Sequence, residues 1–434
     1  MARALIRHLA NHLGETVTLH GWVVGCHTQE DGTGAILGWV RLRDGSGTVD
    51  ARLRREGAPE ELWEDFERLT IDSVLRVTGI ARPREADGTS GVEIELTDLI
   101  LKQLATAAPK VSELKRVSGE DRPGAAPHLA IRREPQRSIL RLRSEIQQAL
   151  GSFLHGREFT LVDVPILRPS SLGGAIPWPG SDDGPGDGPC LANAAQLPLE
   201  AACAALGRVY SLGPTFEVST AGETPRWVER RTLEVEVAFW ELEELQELVR
   251  ALVIDLLARV EQASVSEWAS LGKALPSLSA GLPHLTYDEA RAALARHGSE
   301  PADGAPLDDA HRALLAADFD GPFFISRHPA VQWPVHYQPD PENSQRALSL
   351  EFVLPGGSVL VRGGQRTPDA RLLERRLTDR GESLDLWRPV LDLRRRGGFT
   401  ASGFSLVIEE LVAWLADIPA GAAGLVLPTP EEAP

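Results

Sequence analysis

Two short segments carry the residues with the most chemical content. Gly213-Pro-Thr-Phe-Glu-Val-Ser219 presents Glu217, and Gly403-Phe-Ser-Leu-Val-Ile-Glu-Glu-Leu411 presents Glu410. The other reactive side-chain types are dispersed. His8, His12, His20 and His128 make no ligand spacing with Cys or Asp, and neither do His284, His297, His311, His328 and His336. Ordinary core or surface histidines account for them. Cys26, Cys190 and Cys203 have neither metal-ligand spacing nor the pattern of a disulfide framework, which suits a reducing cytoplasm. No Ser-His-Asp order and no Gly-rich phosphate loop occurs.

The elements that must hold these residues can be read from hydrophobic period. In the first hundred residues, Val17 to Val24 and Gly38 to Arg43 alternate, and Asp44-Gly-Ser-Gly47 supplies a hairpin turn. Thr48 to Leu53 continues as a strand, Glu60 to Leu69 fits a helix, and Val74 to Ile80 and Val92 to Leu101 close the set. Five strands with a helix between the third and fourth is the order of an OB-fold barrel. Residues 105–127 read as a linker. Beyond it, Ile139, Leu142, Ile146, Leu150 and Phe153 share one helical face. Phe159 to Leu167 reads as a strand, Gly173 to Pro189 as a loop, and Val209 to Leu212 with Leu233 to Phe239 as a strand pair. A long helix is expected from Leu242 to Ala263, with the acidic Glu241 to Glu247 stretch as its solvated start.

Composition sets outer limits. The 434 residues allow two or three domains, with 42% hydrophobic and 25% charged residues as in ordinary globular chains. No run approaches the ~20 apolar residues that span a bilayer. The net charge of −17 argues against loose polyanion binding, because phosphate contacts need Lys and Arg.

Ordered along the chain, several segments resemble the class II aminoacyl-tRNA synthetases, in the asparaginyl/aspartyl branch. Gly21-Trp-Val and Trp39-Val-Arg-Leu-Arg-Asp-Gly-Ser-Gly47 resemble the anticodon-binding barrel, and Arg141-Leu-Arg-Ser-Glu145 resembles the helix that opens the catalytic domain. Pro165 falls on the motif 1 proline, Ala195-Gln-Leu197 on a substrate-contacting segment, and Gly213 to Phe239 on motif 2. Gly363-Gly-Gln-Arg366 and Leu391-Asp-Leu-Arg-Arg395 precede motif 3 in register. The resemblance implies an α+β fold: an OB-fold β-barrel over 1–104, a linker over 105–127, and an antiparallel sheet flanked by helices over 128–434. It also implies a homodimer through motif 1, and a cytoplasmic protein.

The resemblance also assigns roles. Gln196, Glu234 and Arg366 fall on amino-acid-binding positions, with Arg366 facing a substrate carboxylate through two parallel hydrogen bonds. Trp39 falls on an aromatic that stacks on an RNA base. Glu351 keeps one acidic position of a metal pair whose other member is Val359. The departures are at the nucleotide. Glu217 and Glu410 replace two arginines that grip ATP, Ser219 replaces an acid, Pro225 an arginine, and Arg230 a phenylalanine that stacks on adenine.

Joining a carboxylate to the α-phosphate depends on neutralising spread negative charge with Arg and Mg²⁺. A unit charge ~4 Å from phosphate is worth roughly 4 kcal/mol at an effective dielectric near 20. Two sign reversals therefore predict loss of standard adenylation, with a retained amino-acid or carboxylate pocket and a role as a non-canonical binding or biosynthetic-pathway protein. A rival expectation keeps the ligase, with Arg226, Arg230 and Arg231 re-forming a phosphate clamp for ATP and Mg. A third makes the chain a regulatory or structural partner of a true synthetase. On the barrel, Asp50 replaces a base-reading glutamine and is expected to repel the RNA backbone, so tRNA binding by the inherited route is not expected.

Overall fold

The structure, a computed structural model, describes residues 4–30, 32, 34–86, 89–106, 127–168, 176–177, 189–219, 226–276, 278 and 281–423. The chain divides into two compact units, Met1–Lys115 and Arg116–Pro434.

In the first unit the strands Thr16–Glu30, Ile36–Arg43, Thr48–Arg54, Val74–Ala86 and Thr89–Gln103 close into a barrel, with the helix Glu60–Glu67 between the third and fourth. Alternation drives closure, because one set of side chains in every strand faces inward. Leu19, Val40, Ala51, Val77 and Ile94 are all fully buried, and Trp63 and Phe66 of the helix plug the barrel. The expected hairpin turn is held by Asp44, whose carboxylate accepts from the backbone N–H groups of Ile6, Ser46 and Gly47.

The second unit is built on an eight-stranded sheet. Its order is His284–Thr286, Phe323–Ser326, Ser349–Val353, Val359–Arg366, Ala401–Val407, Arg226–Ala238, Arg208–Ser219 and Thr160–Leu161. Pairing is antiparallel through the middle and parallel at the two outermost pairs. The helices Gln136–His155 and Leu242–Ala263 bury their apolar stripes against one face, where Leu233, Val235, Phe352, Phe404 and Leu406 complete the core. Over the outer strands, the helices Tyr287–Arg296 and Asp309–Ala316 cover part of the opposite face. The rest of that face carries the polar residues discussed below.

One expected element is broken. Phe159 to Leu167 yields only the two-residue strands Thr160–Leu161 and Leu167–Arg168. Pro165 lies between them, and a residue with no backbone N–H cannot donate to a ladder. The expected loop over Gly173–Pro189 and the linker over 105–127 fall largely outside the described residues.

Candidate functional site

Strand period fixes what the exposed part of the sheet displays. Along Arg226–Ala238, residues Arg230, Thr232, Glu234 and Glu236 share one face. Register sets Ser211 opposite Glu234 on one side and Ser405 opposite it on the other. Gly403 lies opposite Glu236, and the next strand adds Arg362, Gly364 and Arg366 opposite Ser405, Gly403 and Ala401. The floor is therefore made of small residues between charged ones. A Cβ at Gly403 would overlap the Glu236 carboxylate and the Val235 carbonyl. Gly403→Ala is expected to cost about 1–3 kcal/mol by overpacking and to push Glu236 off Arg366. An unchanged denaturation midpoint would refute this.

Arg366 is 1% exposed and grips an internal partner. Its Nε donates to Glu236 Oε1 at 3.0 Å and its Nη2 to Glu236 Oε2 at 3.1 Å, while the guanidinium lies 4.3 Å over the Tyr337 ring. The two-pronged grip expected for a substrate carboxylate is thus made to Glu236, leaving Nη1 without a hydrogen-bond partner. Burial raises the Glu236 carboxyl against the opposing pull of Arg366. The resemblance does not point to Glu236, although Glu234-Val-Glu236 in a strand is itself the signal of two carboxylates on one face.

Glu234 is 2% exposed and accepts the backbone N–H of Ala195; its other oxygen, Oε2, has no partner among the described residues. Burial pushes its carboxyl up to about 7. Ala195 precedes the helix Gln196–Leu206, so the same contact fixes Gln196, the first helical residue. Gln196 lies near the Tyr337 side chain, over whose ring the Arg366 guanidinium sits. The three expected amino-acid-binding residues are thereby linked, Gln196 and Arg366 through Tyr337 and Glu234 through Ala195. A small cleft lies over Glu234, lined also by Arg168, Ser211, Gly213 and Thr232. Arg168 has no counterpart among the expected site residues. It donates to the Ala194 carbonyl and acts on Glu234 as a neighbouring positive charge, and its Nε has no partner among the described residues. An unpartnered acceptor and an unpartnered cationic donor in one cleft suit a zwitterion.

The other end of the face carries Glu217. It lies on the same side as Thr215 and Glu234 by register, is exposed, and pairs with Arg230 at 3.1 Å. Arg231 points to the opposite face, where its backbone N–H donates to Glu409, itself paired with Arg143. The clamp expected from Arg226, Arg230 and Arg231 is therefore divided by strand alternation. Ser219 and Arg226 face each other at the end of the hairpin, their side chains outside the described set, as is Pro225. Glu410 is half-buried in the first turn of the helix Ile408–Ala416, with no ion pair among the described residues.

Residues 120–420 match the family described as tRNA synthetases class II (D, K and N), and residues 17–101 match the OB-fold nucleic acid binding domain. The chain belongs to the class II tRNA synthetases. The asparagine–tRNA ligase of Desulforamulus reducens is 33% identical over 419 residues, spanning 96% of this chain and 95% of the relative. That of Thermus thermophilus is 32% identical over 425 residues, spanning 95% of each. Among solved structures, asparaginyl-tRNA synthetase from Pyrococcus horikoshii, complexed with asparaginyl-adenylate, superposes with a TM-score of 0.85 at 26% identity, over 99% of both chains.

A class II synthetase of this branch implies Mg²⁺ beside ATP, and the residues present do not fit a divalent ion. Val359 packs against the apolar cluster around Tyr287 and Phe323. Glu351 is 5% exposed and already surrounded by basic side chains: Arg362 at 3.2 Å, His328 at 3.4 Å and Arg312 at 3.7 Å. Burial opposes its charge, but these neighbours hold its carboxyl down at about 2. No group of three metal-ligating side chains occurs among the described residues. Glu351 is an ion-pair partner here, contrary to the metal role that the resemblance implies.

On the barrel, Trp39 stacks parallel to His27 with ring centroids 6.4 Å apart. Asp50 is not a free negative charge. Arg41 at 2.7 Å and Arg84 at 2.9 Å hold it, the Arg41 hydrogen bond chiefly lowering its carboxyl below the ordinary range. The expected repulsion of an RNA backbone is thereby removed. Among the described residues, no helix is long and apolar enough to cross a membrane.

Proposed function

We propose that this chain is an asparaginyl-tRNA synthetase-like protein that binds an amino acid in the Glu234 cleft and has lost Mg-ATP adenylation. The observation that carries it is the Glu217–Arg230 pair at 3.1 Å. The site face displays a carboxylate where adenylation needs net positive charge, and the nearby arginine is tied to that carboxylate. The amino-acid class follows from the relatives, which are asparagine–tRNA ligases, and from the open valences of Glu234 and Arg168. A ligase rebuilt on Arg226, Arg230 and Arg231 is disfavoured, since Arg231 faces away.

We further propose a homodimer through the segment around Pro165, where Leu161, Ile166 and Leu167 are exposed apolar residues. The domain bounds remain 1–104, 105–127 and 128–434. RNA contact would fall to the Trp39 face. The deciding experiment is pyrophosphate exchange with asparagine and with aspartate, beside thermal shifts with each amino acid alone. Stabilisation by an amino acid without exchange is the expected result; exchange at the rate of an ordinary synthetase overturns the reading.

A further inference from the structure

The misfit of the metal position leaves an exposed cation behind. Arg362 lies on the site face of the Val359–Arg366 strand, and its side chain is 57% exposed. Its Nε is held by Glu351 Oε1 at 3.2 Å. Glu351 cannot turn away, being 5% exposed and flanked on its other side by Arg312 and His328. The guanidinium is therefore anchored at one edge, on a side chain that is otherwise largely exposed. Its strand neighbour Ser405 lies between it and Glu234. Two strand spacings separate Arg362 from Glu234, or about 10 Å.

We infer that Arg362 is an anion-binding residue of this site, taking a phosphoryl group directly where a synthetase of this branch would use a divalent ion. The charge balance supports it. Arg312 also faces Glu351 from within, at 3.7 Å, so the charge of Arg362 is not spent on that carboxylate alone. A planar guanidinium offers phosphate two parallel charge-assisted hydrogen bonds, which a metal-free site needs to hold such a group. A ligand reaching from the Glu234 cleft to Arg362 would carry an aminoacyl-like end and a phosphoryl end. That span rests on the amino-acid reading given above; anion binding at Arg362 does not.

Calorimetric titration with pyrophosphate tests the assignment, in EDTA and again in Mg²⁺, on the full chain and on Arg362→Ala and Arg362→Lys. Pyrophosphate is expected to bind in EDTA, with Mg²⁺ giving no gain. Arg362→Ala should lose about 10- to 100-fold in affinity, the worth of a charge-assisted pair, and Arg362→Lys should recover part of it. Binding that requires Mg²⁺, absence of binding in EDTA, or an Arg362→Ala curve matching the parent overturns the proposal. Melting temperatures of both variants check that this exposed residue leaves the fold intact. Asparagine titrated into the unmodified protein reports on the amino-acid reading separately, so either idea can fail alone.

Discussion

Arg366→Ala is expected to destabilise the second unit by about 3–5 kcal/mol, the usual cost of removing one partner from a buried ion pair. Arg366 is 1% exposed and Glu236 is fully buried, so neither can turn to water. With the guanidinium gone, Glu236 would remain as a carboxylate in an apolar, close-packed setting or would have to take up a proton. The destabilisation should therefore be smaller at acid pH, where that proton is cheap. Arg366 also stacks on Tyr337, so truncation removes packing as well as charge. The double change Arg366→Met with Glu236→Leu should recover most of the loss, because an apolar pair of similar volume needs no compensation. Chemical denaturation of both single variants and the double variant gives the coupling. A loss below about 1 kcal/mol in Arg366→Ala would mean that water reaches Glu236 and that the pair is not a buried one.

That pair shows what the sequence can and cannot convey. The long helix is legible to the residue: the apolar period from Leu242 onward gives the element Leu242–Ala263, and the stripe of Ile139, Leu142 and Ile146 is buried as expected. The barrel is legible too, because alternation of period two and a hairpin turn are local signals. The partners of site residues are not. Arg366 and Glu236 are 130 positions apart, and their meeting depends on the Ala401–Val407 strand lying between theirs with Gly403 opposite Glu236. A resemblance names a position and leaves its neighbours unstated. Arg231 departs from expectation for a simpler reason: adjacent residues on a strand point to opposite faces, so Arg230 and Arg231 cannot serve one clamp. Asp50 and Glu351 stand as lone carboxylates in the sequence, and each acquires an arginine from a neighbouring strand, Arg41 and Arg362.

Glu234→Gln should change how stability depends on pH. Burial lifts the Glu234 carboxyl to about 7 from an ordinary value of 4.5, so the folded chain binds a proton there more readily than the unfolded chain does. The sign follows from linkage: where the folded state holds more protons, stability falls as pH rises. The contribution is fully present below 4.5 and is lost as pH climbs through about 7. Over that interval the loss from this one group is at most about 3.5 kcal/mol, since each pH unit separating the two values is worth ~1.4 kcal/mol. Glutamine keeps a carbonyl for the Ala195 N–H and cannot ionise. Its stability curve should run flatter than the parent's between about pH 5 and 8. Glu236 titrates in the same direction and its charge acts on Glu234, so the difference curve reports Glu234 together with its interaction with Glu236. Stability profiles that stay parallel across the range would show that Glu234 is hydrated and ionised throughout. A zwitterion's ammonium placed against Glu234 Oε2 would favour the ionised carboxylate, so amino-acid binding in the parent should tighten with rising pH while the glutamine variant shows no such trend.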